Sequence, residues 1–409
     1  MRKLILSVFG MAALSIVAIP QAANAATGRI VTGADSGSVG PLVKALASRT
    51  QTNVASFFPY TPSFNGGVRV AAGDVNGDGA TDIITGSGAG AAHVKVFSGR
   101  DQSELRSFLP YDAGFAGGVF VAAGDVDGDG FDEIITGTGA GARPHVKVFD
   151  GRTGSELQSF FAYGAGFSGG VSVATGDING DGYADIITGS GPGAGGHVKV
   201  FDGVTSAEIR SFFPYDPAFM GGVFVGSGDV NGDGFDDIIT GSGAGASPHV
   251  KVFDGRSGSG LHSFFPYSAS FSGGVRVAAG DLDGDGRAEI LTSPGGGLTS
   301  QVRIFDGLDL KETAKFLAYT PTFTNGVFVG AASVKAPRLE IAVDRSGIQL
   351  QWPSGCLCEL EANTDAANPR GWSVLEVRTV DEGNRVGLLL PVVQKLHIFR
   401  LKCDDQAVR

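Results

Sequence analysis

The sequence predicts an all-β protein: a six-bladed β-propeller closed by an N-/C-terminal clasp, followed by a small C-terminal β-sandwich. Three observations predict it. One block of roughly 52 residues recurs six times. Within each block, short apolar segments alternate with period two between Gly and Asp turns, and none has a 3.6-residue period. The first and last copies are fragments that complete one another.

The chain opens with Arg2 and Lys3, an apolar run from Leu4 to Pro20 and a small-residue site ending at Ala25. That is the pattern of a secretory signal peptide over residues 1–25, with a propeller expected over 26–334 and a separate domain over 335–409. The alternative is a membrane anchor, but the run is short for one. No later stretch is apolar enough to span a bilayer, so the mature chain is expected to be secreted or held at the cell surface.

The repeat is set by Tyr60, Tyr111, Tyr163, Tyr215, Tyr267 and Tyr319, spaced 51 residues once and 52 thereafter. Each is followed by a Phe four residues on and then by a Gly-Val step. Four β-type segments fill each unit, which is the composition of a propeller blade. An open solenoid would share this repeat. However, the first copy begins at Gly28–Gly33, matching the second strand of later blades, and the last supplies only the missing first strand, from Gly326 to Ser333. A ring closed by such a clasp leaves no open sheet edge.

Each of the five intact copies carries an acidic loop after its first strand. The oxygen-bearing side chains at positions 1, 3, 5 and 9 are Asp74, Asn76, Asp78 and Asp82 in the first loop. They are Asp125, Asp127, Asp129 and Glu133 in the second, and Asp177, Asn179, Asp181 and Asp185 in the third. The last two loops offer Asp229, Asn231, Asp233 and Asp237, then Asp281, Asp283, Asp285 and Glu289. A backbone carbonyl near position 7 completes the set, from Ala80, Phe131, Tyr183, Phe235 and Arg287. Oxygen-only ligation with Gly at position 6 for the sharp turn suits calcium, so about five Ca²⁺ sites are expected. A solvated Asx turn explains one such loop but not five in register. Seventeen carboxylates crowd these positions, and the formal charge of −11 becomes −13 once Arg2 and Lys3 are removed. Five calcium ions would bring it to about −3. The copy ending at Ser333 has no such loop and is expected to be metal-free. An acidic chain without a basic footprint excludes a nucleic-acid partner.

The loop Asp74–Gly79 and the stretch Gly241–Ala246 resemble the FG-GAP or VCBS repeats of integrin α-subunit propellers, over about residues 28–333. The resemblance implies loops bridging the first two strands of a blade in a structural role. It extends to adhesion receptors, lectin-like proteins and propellers attached to polysaccharide-active enzymes. Six blades depart from the seven of the integrin head, and no integrin-like inserted domain is visible.

No Ser-His-Asp arrangement, zinc cluster or phosphate loop stands apart from the repeat. His93, His145, His197 and His249 share one strand-start position, where a local hydrogen bond is the plain reading and a ring of shallow binding sites the sharper one. Lys95, Lys147, Lys199 and Lys251 also repeat and are expected to face solvent. The repeated tyrosines fit inter-blade packing better than sugar stacking. Arg69 and Arg276 occupy a first-strand position filled elsewhere by Phe120, Ser172, Phe224 and Phe328, which lines the channel unevenly.

From Pro337 the repeat stops and six short strands are expected: 339–343, 348–352, 358–362, 372–377, 386–390 and 396–401. Through Trp352-Pro353, Leu360-Glu361, Trp372 and Phe399-Arg400-Leu401, this segment resembles the fibronectin- or immunoglobulin-like modules of secreted bacterial proteins. Of the three cysteines, all near this end, Cys403 pairs with Cys358 or Cys356, or all three stay reduced. The function that follows is a non-catalytic binding or adhesion module for an extracellular glycan or a surface protein. The alternatives are a polysaccharide lyase or hydrolase and a purely structural envelope or matrix protein.

Overall fold

A computed structural model describes residues 28–37 and 40–333, together with the backbone of seven strands between residues 340 and 403. The expected signal peptide, Cys356 and Trp372 lie outside the described residues. Every element among those described is a strand. No helix there is long and apolar enough to cross a membrane.

Residues Gly28–Val334 form one compact unit, the six-bladed propeller. Blade one is a four-stranded antiparallel sheet of Val68–Gly73, Asp82–Ser87, Val94–Phe97 and Glu104–Phe108, in that order outward. Blades two to five repeat it from inner strands Val119–Gly124, Val171–Gly176, Val223–Gly228 and Val275–Gly280. The sixth is the clasp blade. Its inner strand Val327–Ala332 lies antiparallel against Arg29–Ala34, with Ala332 opposite Arg29 and Val327 opposite Ala34. Val43–Ala47 and Asn53–Phe57 follow outward. Inner strands touch their neighbours all the way round, Val327–Ala332 contacting both Val275–Gly280 and Val68–Gly73. The ring is therefore closed.

The second strand of each blade explains the core. Its two consecutive branched residues point to opposite faces of the sheet and so enter the two flanking inter-blade cores. Ile83 packs with Val31 and Val43 of the clasp blade, while Ile84 packs with Val119 and Val121 of blade two. Ile186 and Ile187, Ile238 and Ile239, and Ile290 and Leu291 divide in the same way. All are fully buried, each contributing about 1.5–3 kcal/mol by removing a large aliphatic side chain from water. The glycine beyond them lets blades meet closely: a Cβ on Gly86 would lie 2.3 Å from the Val119 carbonyl oxygen. In blade five Ser293 takes this place and donates instead to the Val327 carbonyl at 2.7 Å.

The repeated tyrosine fills the wedge between blades, as expected. Tyr60, from the chain leaving the clasp blade, donates to the His93 carbonyl of blade one at 2.7 Å. Tyr319 closes the ring by donating to the Leu42 carbonyl at 2.9 Å.

The second unit, Lys335–Arg409, is described only as backbone. One sheet runs Glu340–Asp344, Gly347–Pro353, Arg385–Leu390, Val380–Asp381, and the other Ser373–Val374, Cys358–Asn363, Ile398–Cys403. Five expected strands recur with shifted ends, and the one expected over 372–377 is found as Ser373–Val374. Val380–Asp381 is additional and too short to show a period. Cys358 stands directly opposite Cys403 in the register.

Candidate metal centres

Each acidic loop joins the inner strand of an intact blade to its second strand, so all five lie on one face of the ring. The third loop shows how the sequence winds. The Asp177 carboxylate accepts backbone N–H groups of Gly180, Asp181 and Gly182 at 2.7, 3.0 and 2.9 Å. Asn179 Oδ1 accepts from Asp181 at 2.8 Å, and Asp181 Oδ1 accepts from Tyr183 at 2.9 Å. Asp185, fully buried, accepts from Ile178 and Asn179 through Oδ2 and from Gly203 through Oδ1. The same position-1 clamp recurs at Asp74, Asp125, Asp229 and Asp281. Glycines at positions 4 and 6 both take left-handed backbone, with φ of 77° at Gly180 and 93° at Gly182, a conformation costly for any residue bearing a Cβ.

These turns bring like charges together. Ligand oxygens of Asp125, Asp127 and Glu133 lie within 4.8 Å of one another, as do those of Asp281, Asp283 and Asp285. In two loops an arginine offsets part of the charge, Arg100 on Asp78 at 2.8 Å and Arg287 on Asp285. Burial, reinforced by neighbouring loop carboxylates and opposed by backbone donors, pushes the position-9 acid well up. Asp82, Asp185, Asp237 and Glu289 rise to about 7, and Glu133 to about 8. A converging set of hard oxygens that resists ionising without a counter-charge fits a divalent cation, and these acidic groups can hold a metal. The position-7 residues Ala80, Phe131, Tyr183, Phe235 and Arg287 follow directly, each amide tied to the position-5 carboxylate.

The raised acids give a pH dependence. A carboxyl whose pKa is higher folded than unfolded binds protons preferentially in the folded state. Its contribution is therefore fully present below about 4 and lost as pH climbs toward 7–8. Metal-stripped protein is expected to melt progressively lower from pH 5 to pH 8, and calcium is expected to restore the midpoint most at pH 8. A midpoint in stripped protein that rose over this range would contradict the assignment.

The loops are also joined to one another, which the sequence reading did not anticipate. Position 8 of one loop bonds to position 1 of the loop in the preceding blade. Asp132 N donates to Asp74 O at 2.9 Å, and its carboxylate accepts from Asp74 N at 2.7 Å. Ala184 N donates to Asp125 O, Asp236 N to Asp177 O and Ala288 N to Asp229 O, at 2.7–2.8 Å. The position-7 ring covers the preceding loop's position-4 glycine: a Cβ on Gly77 would come 2.5 Å from Phe131, and one on Gly128 2.4 Å from Tyr183. At the end of the series Asp281 N donates to Ser333 Oγ at 3.1 Å.

The repeated histidines make the local bond expected of them. Nε2 of His93, His145, His197 and His249 lies 2.8 Å from a serine hydroxyl on the outer strand. Three of them also stack on exposed rings, Phe161, Phe213 and Phe265. Lys95, Lys147 and Lys199 pair with Glu104, Glu156 and Glu208, so they are less free than expected. Lys251, whose outer-strand counterpart is Gly260, turns to the Pro214 carbonyl instead.

The repeat has counterparts among known proteins. An FG-GAP-like repeat family matches residues 125–188 and 229–292. Integrin alpha-V of Gallus gallus is 29% identical over 186 residues, covering 40% of this chain and 18% of the integrin. Integrin alpha-PS2 of Drosophila melanogaster is 25% identical over 224 residues, covering 46% and 16%. The chain thus spans about a fifth of the length of these relatives. Among solved structures, rhamnogalacturonan lyase YesW aligns with 16% identity and a TM-score of 0.36, over 78% of this chain and 65% of that one. Bacillus licheniformis rhamnogalacturonan lyase PL11 aligns with 17% identity and a TM-score of 0.37, over 77% and 64%. The chain is thus a six-bladed β-propeller that carries FG-GAP-like repeats.

Proposed function

We propose that this protein is a secreted or cell-surface binding module, a non-catalytic propeller held rigid by about five calcium ions and presenting its faces to an extracellular glycan or surface protein. The observation that carries the reading is the set of five acidic loops wound in register on one face. Each offers four side-chain oxygens and a position-7 carbonyl, and this donor set fits calcium's preference for six to eight oxygens. Hydrogen bonds from loop to loop and the absence of an unrepeated acid–base cluster in the loops favour struts over catalysts. The signal-like segment at residues 1–25 supports export.

The test uses residues 26–409 in excess calcium, incubated with bacterial envelope polysaccharides. Retention of protein on the polysaccharide without release of soluble sugar fragments is the expected result. Release of new sugar ends would overturn the non-catalytic reading, and neither retention nor release would turn the search to a protein partner. In the same preparation we expect a Cys358–Cys403 bridge, since those residues face each other in the register. A thiol titration of the unfolded, unreduced chain should find one free thiol; three would remove the bridge.

A further inference from the structure

The second residues of the six inner strands meet around the axis of the ring. Phe120, Phe224 and Phe328, from alternate blades, approach one another with ring centroids 6.3–6.5 Å apart. Three rings at that spacing plug the channel. Two guanidinium groups lie against the plug in equivalent seats. The ζ carbon of Arg69 is 3.9 Å from the centre of Phe120, and that of Arg276 is 3.9 Å from the centre of Phe328. Each reaches a second ring, Phe328 at 5.8 Å and Phe224 at 5.6 Å respectively. A Cβ on Gly118 would sit 2.5 Å from Nη1 of Arg69, and one on Gly326 2.6 Å from Nη1 of Arg276.

The seats match, but the partners do not. Arg276 forms an ion pair with Asp35, and its Nη1 donates to the Pro294 and Val327 carbonyls at 3.2 Å. The residue of blade two that corresponds to Asp35 is Gly139. Asp35 N donates to Gly326 O just as Gly139 N donates to Gly118 O. Arg69 therefore has no ion-paired carboxylate among the described residues: Asp35 acts on it only through space, and its Nε and Nη1 are buried without a hydrogen-bond partner. Burial pushes the Arg69 pKa down to about 10, with Asp35 opposing and Arg276 reinforcing the shift, so the group remains a cation at neutral pH. A buried guanidinium without a directly paired carboxylate is an expensive arrangement, and a planar carboxylate matches its fork.

We propose that the Arg69 seat binds a carboxylate from outside the chain, which does for Arg69 what Asp35 does for Arg276. Entry is from the face opposite the acidic loops. Arg69 is the second residue of Val68–Gly73, whose far end leads into the loop at Asp74. Arg69, Phe120 and Phe328 are each partly exposed. The Nη2 of Arg69 is not among the buried unpartnered atoms and is the donor left to meet the ligand. The flanking phenyl rings would lie against whatever carries the carboxylate, either a small free acid or an acidic sugar.

This proposal rests on the propeller being a binding module but not on calcium, and the test separates the two. The calcium-loaded chain is titrated at low ionic strength with acetate, glucuronate and neutral glucose by calorimetry. Saturable binding of acetate and glucuronate, with none of glucose, is expected. Tighter binding of glucuronate assigns an acidic sugar, and equal binding a small free acid. Arg69→Gln should weaken both at least tenfold while leaving the calcium titration unchanged, and Arg69→Lys, which keeps the charge but loses the fork, should fall between. On the unaltered protein, acetate should shift one arginine Nε–Hε NMR signal that is missing in Arg69→Lys. The proposal is overturned by an absence of saturable carboxylate binding to the unaltered protein, by preference for inorganic phosphate, or by binding that survives Arg69→Gln.

Discussion

Withdrawing calcium is expected to lower the thermal midpoint of the propeller by about 10 °C. Extracellular calcium modules bind at roughly 10⁻⁴–10⁻³ M, and at ten times the dissociation constant linkage gives about 1.4 kcal/mol per site. Five sites contribute about 7 kcal/mol, which for a domain of some 300 residues corresponds to about 10 °C at usual unfolding entropies. The contacts between loops sharpen the expectation. Because Asp132 and Asp236 hold the first residue of the preceding loop, loosening one loop loosens the next. Scanning calorimetry in calcium and in excess chelator at pH 7.5 measures the difference. An unchanged midpoint would remove the strut role. Asp181→Ala should delete the third site alone, so a calorimetric calcium titration should fall from about five equivalents to about four.

Much of this structure was legible because the chain states it six times. The tyrosine spacing and the Gly-Val step mark the blades, and the fragmentary first and last copies mark the clasp. Position 9 of each loop was readable as a candidate ligand from its carboxylate, whereas its burial was not. Contacts between repeats were not readable. Gly77 looks like a turn residue, and only the structure shows that the ring of Phe131 needs its missing side chain. Asp132 and Asp236 stand beside the ligand positions and resemble spare acids, yet they tie loops together across blades. The channel is the clearest case. Phe120, Phe224 and Phe328 are more than a hundred residues apart, and only ring closure brings alternate blades together on the axis. The mismatch between Arg69 and Arg276 shows only when Asp35 and Gly139 are seen as equivalent positions.

Deleting the clasp strand should have a larger effect than any single substitution. A chain ending at residue 334 keeps Val327–Ala332 and is expected to fold with a midpoint close to that of the full propeller. A chain ending at residue 326 loses Val327 and Val329, both buried in the core shared by the clasp blade and blade five. It also exposes Arg29–Ala34 as an unpaired inner edge, since each of its six residues now faces a partner in Val327–Ala332. Two buried valines alone are worth about 3–6 kcal/mol. The uncovered edge adds a template for pairing with another chain. The plug also loses Phe328, leaving Arg276 without the ring 3.9 Å from its guanidinium. The shorter chain is therefore expected to lack a cooperative melt as a monomer and to appear as dimers or aggregates by light scattering. Adding the missing segment as a separate peptide should restore the monomeric fold if closure is the cause. A monomeric, cooperatively melting chain ending at residue 326 would mean that the five intact blades hold the ring without the clasp.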